Sequence, residues 1–305
     1  MYTESVRKDA RLFIKACLSN QLARWAPALY VRLTQQTGRG ANEEGAPEIA
    51  DYFVECFRDY REQLGVSEEG MRALLAGKTV LEYGPGDILG VALLFYAHGA
   101  ETVHCVDRFP LSSLSDKNVD VYRLILDSLE GEPRERAEGA FAIKGEPRSG
   151  FRPEAIRYDV TRDGLCGIAQ GYDLIVSRAV LEHVNDLEKT MIDIRRSIKS
   201  NGLSLHLVDL KSHGLDRYTD LDFLTWPRAL YSLMYSHKGF PNRWRVNRYR
   251  ELAEKHGLEV RKLAPTARLD AATVEKILPA LATEFRDVSV DQLQWTGFWI
   301  HLATR

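Results

Sequence analysis

The sequence predicts an α/β fold: a seven-stranded sheet with helices on both faces, led by a helical segment and interrupted by one long insertion after the fifth strand. Three observations predict it. From Lys78 onward, short apolar runs alternate with helical patterns, which is the sequence sign of a largely parallel sheet. The first run, Val80-Leu81-Glu82-Tyr83, feeds directly into Gly84-Pro85-Gly86-Asp87-Ile88-Leu89-Gly90. Glycines at 84 and 86 let the backbone leave a strand sharply and approach a ligand closely. The second run, Thr102-Val103-His104-Cys105-Val106-Asp107, ends in a carboxylate about twenty residues on, placed to accept both hydroxyls of an adenosine ribose.

The elements follow in order. Residues 5–36 carry Leu12, Phe13, Ala16 and Cys17, then Leu22, Trp25, Leu29, Tyr30 and Leu33, at a spacing that fits two amphipathic helices. A polar, glycine-rich breaker over 37–47 separates them from a third stripe, Tyr52, Phe53, Cys56, Phe57 and Tyr60. Ser67 caps a short helix that delivers the chain to the sheet. Strands are expected at 79–83, 102–107, 155–160, 172–177, 203–210, 258–264 and 293–302. The charged stretch 131–150 reads as an exposed, mobile connection. Residues 211–250 are too long for a strand-to-helix loop and unusually aromatic and basic, so they read as a lid. The domain division expected is a helical cap over 1–76 and a nucleotide-binding domain over 77–305 that carries the lid.

Composition narrows the function. A chain of 305 residues, 45% of them hydrophobic, can bury a full α/β core. Its formal charge of −2 supplies no global field to hold a polyanion, which argues against nonspecific nucleic-acid binding. The N-terminus shows no apolar core of an export signal, and no apolar run reaches membrane-spanning length, so a cytoplasmic protein is expected. Cys17, Cys56, Cys105 and Cys166 lie far apart and read as thiols in a reducing compartment.

The glycine turn departs from a dinucleotide fingerprint, which would place a third glycine three residues after the second; here it waits until Gly90. No Tyr-x-x-x-Lys pair of a Rossmann dehydrogenase exists in the chain. The fourth strand then runs into Ser177-Arg178-Ala179-Val180-Leu181-Glu182-His183-Val184. With that motif the chain resembles the class I S-adenosylmethionine (SAM)-dependent methyltransferases over roughly residues 77–210, and again at the last strand. The resemblance implies the Rossmann-like seven-stranded sheet of that class and SAM as cofactor. It implies that Glu82, Tyr83, Gly84 and Gly86 wrap the methionine end, and that Asp107 and Arg108 meet the ribose. Asp159 and Val160 would meet the adenine, with Ser177 and Arg178 beside the methyl donor. An Asn/Asp-Pro-Pro-aromatic cluster of nucleobase methylation is absent, so no specific nucleic acid is expected.

The acceptor side is less legible. His213 is the first candidate for general base, because the fifth strand brings Asp209 and His213 to the sheet's carboxyl end and an imidazole titrates near neutrality. His183 either lines the methyl-transfer channel or supports its loop. His206 reads as a core histidine, and Asp173 as a structural acid. Asp209, His213 and Asp216 could ligate a cation, but their spacing carries no geometric signature, and no metal is expected. In the lid, Trp226 and Tyr231 could pack on an acceptor while Arg243 and Arg245 hold its phosphate or carboxylate. The same residues also suit an ordinary core with solvated arginines. The run 221–231 could touch a membrane surface to reach a lipid-linked acceptor, and the Trp25–Leu33 helix could dock on a second subunit. The reading is O-methylation of a small molecule or glycan precursor. The alternatives are a SAM-binding partner or sensor without turnover and, behind it, an NAD-dependent oxidoreductase.

Overall fold

In the computed structural model, residues 2–35 and 44–304 are described. Four helices come first: α1 (Tyr2–Trp25), α2 (Pro27–Thr34), α3 (Ala46–Leu64) and α4 (Glu68–Leu75). Residues 37–43 of the expected breaker lie outside the described residues; the helices on either side of it are present. The Ser67 hydroxyl accepts the Gly70 amide at 3.1 Å and starts α4 as a cap should.

The alternating region then runs β1 (Thr79–Tyr83), α5 (Gly90–Ala97), β2 (Thr102–Asp107), α6 (Asp116–Asp127), α7 (Gly131–Glu138), β3 (Ile156–Val160), β4 (Tyr172–Arg178), α8 (Leu187–Ser197) and β5 (Ile198–Asp209). After it come α9 (Arg228–Tyr235), α10 (Val246–Lys255), β6 (Leu258–Arg268), α11 (Ala271–Ile277), α12 (Val290–Gln294) and β7 (Trp295–Thr304). The seven strands hydrogen-bond in the order β3-β2-β1-β4-β5-β7-β6, and β1 runs parallel to both β2 and β4. Four of the five residues of β1 and five of the six of β2 are buried, as strands covered on both faces require.

Three stretches differ from the sequence reading. Residues 131–150 are built structure: α7 turns Pro133 and Ala137 inward, and Phe141 bridges to Phe151 with stacked rings 4.7 Å apart. Only two small residues mark the buried side of α7, so its charges dominated the pattern. Strand β5 begins at Ile198, five residues early, because half-buried Lys199 and exposed Ser200 and Asn201 conceal its start. Beyond β6 the chain forms α11 and α12, started by caps at Asp270 and Ser289.

The chain forms two compact units. One comprises residues 35–178, 193–205 and 303–305; it holds β1 to β4 and helices α3 to α7. The other comprises residues 1–34, 179–192 and 206–302. Inside the latter, Leu221, Phe223 and Leu224 of the expected lid share a core with Val274, Ile277, Leu281, Phe285 and Leu293. A second cluster joins Ala16 of α1 to Tyr231, Met234 and Tyr235 of α9. No helix among the described residues is long and apolar enough to cross a membrane.

Candidate functional site

At the carboxyl end of β1 the chain turns through Gly84 at φ 62° and Gly86 at φ 80°, the left-handed region that an L side chain resists. The Gly84 amide donates to the Val106 carbonyl at 2.8 Å, which ties the turn to β2. Glu82 pairs in register with Cys105, whose thiol donates to its Oε2 at 3.6 Å. The Glu82 side chain is 7% exposed, and that burial pushes its carboxyl up to about 8. Asp107 at the end of β2 curls into its own turn, its Oδ1 accepting the Arg108 amide at 2.6 Å and the Phe109 amide at 3.0 Å. Burial raises it to about 6 against the pull of those amides.

The delayed third glycine has a packing reason. A Cβ at Gly90 would lie 2.4 Å from the Phe53 ring, so the N-terminus of α5 needs a glycine to admit the aromatic face of α3. The turn is held from α6 as well: the Tyr122 hydroxyl accepts the Leu89 amide at 2.8 Å, and the Asn118 amide group reaches the Asp87 carbonyl at 3.2 Å. Asp87, Asn118 and Tyr122 were not singled out from sequence. A buried Asn and Tyr on one face of a predicted helix were the available signal.

The other residues of this unit fall into two groups. Asp159 on β3 accepts from Arg157 at 2.6 Å and meets His104 Nε2 at 2.9 Å, with its side chain 34% exposed. Burial raises its carboxyl, but those two partners outweigh burial and leave it below its ordinary value. Val160 is exposed next to it, and the Arg108 guanidinium lies 5.2 Å over the Phe109 ring. The rest are tied into the fold. Tyr83 donates to Asp193 at 2.6 Å, and that carboxylate also takes the Cys166 and Gly167 amides. Ser177 is fully buried. Arg178 pairs with Asp59 at 2.7 Å and lies over Tyr52. Asp173 is structural: Lys199 and the Thr79 amide and hydroxyl converge on it.

In the second unit, the turn after β4 opens with Ala179 at φ 52° and closes with the His183 amide on the Val180 carbonyl at 2.8 Å. Asn242 staples it by donating to the carbonyls of Leu181 at 2.8 Å and Val184 at 3.2 Å. Glu182 is buried within the turn, its Oε1 accepting the Asp209 amide at 3.2 Å. The rings of His183 and His213 meet edge to face, 4.8 Å apart. His213 is exposed and left-handed at φ 51°. The Asp209 carboxylate accepts the Lys211 amide at 2.9 Å and so caps the strand's end. His206 is fully buried, and burial pushes its ring down to about 3. Glu182, absent from the sequence-derived candidates, offers a carboxylate oxygen within 4.8 Å of a ring nitrogen of each histidine.

Three basic residues of the expected lid, Lys238, Arg243 and Arg245, are buried. Arg245 is 2% exposed and donates to the Leu210 carbonyl at 3.1 Å and to that of Trp295. Arg243 donates to the carbonyls of Phe223 and Trp226, pairs with Glu284 at 2.9 Å and lies 4.0 Å over the Tyr231 ring. The Tyr231 hydroxyl donates to the Pro241 carbonyl at 2.7 Å. Trp226 is half-buried beneath Arg217, which sits 4.4 Å above its ring. Asp216 accepts the Phe223 amide at 3.0 Å.

The family model of a methyltransferase domain matches residues 55–263. Among solved structures, a Listeria monocytogenes protein described as a SAM-dependent methyltransferase is 16% identical, with a TM-score of 0.43 over 77% of this chain and 96% of its own. One from Mesorhizobium loti, also described as SAM-dependent, is 17% identical, with a TM-score of 0.44 over 78% and 98%. A Galdieria sulphuraria protein described as a sarcosine dimethylglycine methyltransferase is 15% identical, with a TM-score of 0.44 over 82% and 85%. No curated protein sequence matches the chain.

Proposed function

The chain belongs to the family of SAM-dependent methyltransferase domains, and from that premise we propose that it transfers the methyl group of SAM to an oxygen of a small-molecule, glycan or lipid-linked acceptor. In this reading Glu82, Tyr83, Gly84 and Gly86 receive the methionine end, Asp107 and Arg108 the ribose, Asp159 and Val160 the adenine. Ser177 and Arg178 offer backbone near the methyl donor. The single observation that carries the reading is the paired carboxyl end of β1 and β2, where two left-handed glycines and two buried carboxyls sit on adjacent strands. Near pH 7 burial leaves Glu82 mostly neutral and Asp107 mostly ionised, and a ligand that brings an ammonium and two ribose hydroxyls would favour the ionised form of both.

The chemistry needs little from side chains. The acceptor oxygen attacks the methyl carbon in line with sulfur, the carbon–sulfur bond breaks, and the products are the methyl ether, S-adenosylhomocysteine and one proton. Alignment supplies most of the acceleration. The proton leaves toward His213, whose ring meets that of His183 and which follows Asp209 by four residues. Trp226 and Tyr231 serve the acceptor, and Arg243 and Arg245 act by holding the shape of that segment, Arg243 through two carbonyls and Glu284 and Arg245 through the carbonyls of Leu210 and Trp295.

Calorimetric titration with S-adenosylhomocysteine, with NADH in a parallel run, tests the proposal. Micromolar binding of the first alone is the expected result, followed by methyl transfer from labelled SAM to hydroxylated acceptors with and without phosphate. Binding of NADH, or of neither ligand to protein freed of cofactor, overturns it.

A further inference from the structure

We propose that Glu182, His183 and His213 form a binding site for one divalent first-row transition cation, held by one carboxylate oxygen and two imidazole nitrogens. One ligand-capable atom from each residue lies within 4.8 Å of the others. In a closed shell with bonds of about 2.0–2.2 Å, neighbouring ligand atoms stand about 3–4 Å apart. Closure therefore asks for a contraction of about an ångström, which rotation of the exposed His213 side chain can supply.

Two independent features point to a ligand. The Oε2 of Glu182 and the Nδ1 of His183 are both buried with no hydrogen-bond partner among the described residues. An orphaned carboxylate oxygen in a side chain only 1% exposed is costly unless something compensates it. Its other oxygen is fixed by the Asp209 amide, and the turn that carries it is stapled by Asn242, an outer layer of the kind that orients metal ligands. The third residue is held in a left-handed backbone conformation at φ 51°, ahead of Gly214 at φ 79°. Strain of that kind persists where the surroundings impose it.

The donor set selects the ion. Two imidazoles with one carboxylate suit manganese, cobalt, iron or zinc, whereas calcium and magnesium prefer all-oxygen shells. Three protein ligands leave positions open for an oxygen donor. If the methyl-transfer reading holds, that donor is the acceptor hydroxyl, whose proton the cation makes easier to lose; with the cation bound the proton leaves to solvent, and His213, its destination in the metal-free protein, serves as a ligand. Asp209, His213 and Asp216 carry no geometric signature of a metal site in their spacing, and both of those carboxylates accept backbone amides.

The test is a titration of chelator-treated protein with Co²⁺, read by its visible d–d absorption, in wild type, His213→Ala and Glu182→Gln. S-adenosylhomocysteine binding is measured on the same samples. One equivalent bound by wild type, with affinity lost about 10–100-fold in each variant, is the expected result. His213 is exposed, so its variant retains the fold even if Glu182→Gln does not. Failure of wild type to bind Co²⁺, Mn²⁺ or Zn²⁺ below millimolar concentration overturns the proposal, as does binding unchanged in His213→Ala. Cobalt binding without S-adenosylhomocysteine binding leaves the metal site standing and sinks the methyl-donor reading instead.

Discussion

Glu82 should make cofactor binding strongly dependent on pH. Its carboxyl ordinarily titrates near 4.5, and burial moves it to about 8 in the unliganded protein. At pH 7 only about a tenth of the molecules then carry it ionised, and binding that requires the ionised form is weakened by about 1.4 kcal/mol. A ligand whose methionine end brings an ammonium favours ionisation, so binding expels a proton. Affinity for S-adenosylhomocysteine is expected to rise about tenfold from pH 6 to 7 and about fivefold from 7 to 8, then level off. Asp107, raised to about 6, adds its own dependence only at the acid end of that range. For the unliganded fold the sign is opposite. A carboxyl raised on folding contributes stability that is full below pH 4.5 and is lost as pH rises through about 8. The assay is calorimetry from pH 6.5 to 8.5 in buffers of different ionisation enthalpy, which counts the protons released. Close to one proton is expected at pH 7, and close to none from Glu82→Gln. A flat affinity with no proton release would refute the assignment of Glu82 to the cofactor.

Asp107→Ala should weaken S-adenosylhomocysteine binding by about 1.5–3 kcal/mol for each charge-assisted bond removed, with the thermal transition retained; unchanged affinity excludes the ribose role. Gly90→Ala places a Cβ 2.4 Å from Phe53 and should cost about 1–3 kcal/mol in chemical denaturation, and a neutral result would mean that α3 and α5 do not pack this closely. Arg243→Met leaves Glu284 and two carbonyls without their donor and should destabilise by about 3 kcal/mol. If it raises the acceptor KM and spares stability, Arg243 contacts the acceptor after all.

The sheet was legible because its signal is local. Runs such as Val80–Tyr83 and Val103–Val106 are apolar but for Glu82 and His104, and both glycines of the turn after the first are demanded by backbone conformation, which leaves its mark in residue type. Signals failed where burial involves few or small side chains. Helix α7 hides its packing in Pro133 and Ala137, and the polar start of β5 gives no period at all. Asp270 and Ser289 are readable caps, yet the helices they start are short, and their apolar residues share a core with Leu221, Phe223 and Leu224, which lie about fifty residues away in sequence for α11 and about seventy for α12.

The same contrast between local and long-range causes explains the candidate site. A glycine turn announces itself, but the state of a carboxylate does not. Glu82 and Glu182 are both acids in apolar surroundings of sequence, and nothing local distinguishes them. What differs is the far-off partner: Cys105 on the neighbouring strand for Glu82, and the Asp209 amide for Glu182. The first has a neutral thiol against one oxygen; the second keeps an oxygen with no partner beside two histidines. Arginine-rich composition misleads for the same reason. Arg243 and Arg245 look like anion receptors in sequence, but a buried guanidinium with carbonyls to satisfy is as much a structural brace as a ligand site. Residue type therefore proposes the chemistry, and unpartnered polar atoms that gather with further ligand atoms, as those of Glu182 and His183 do beside His213, mark where a ligand fits.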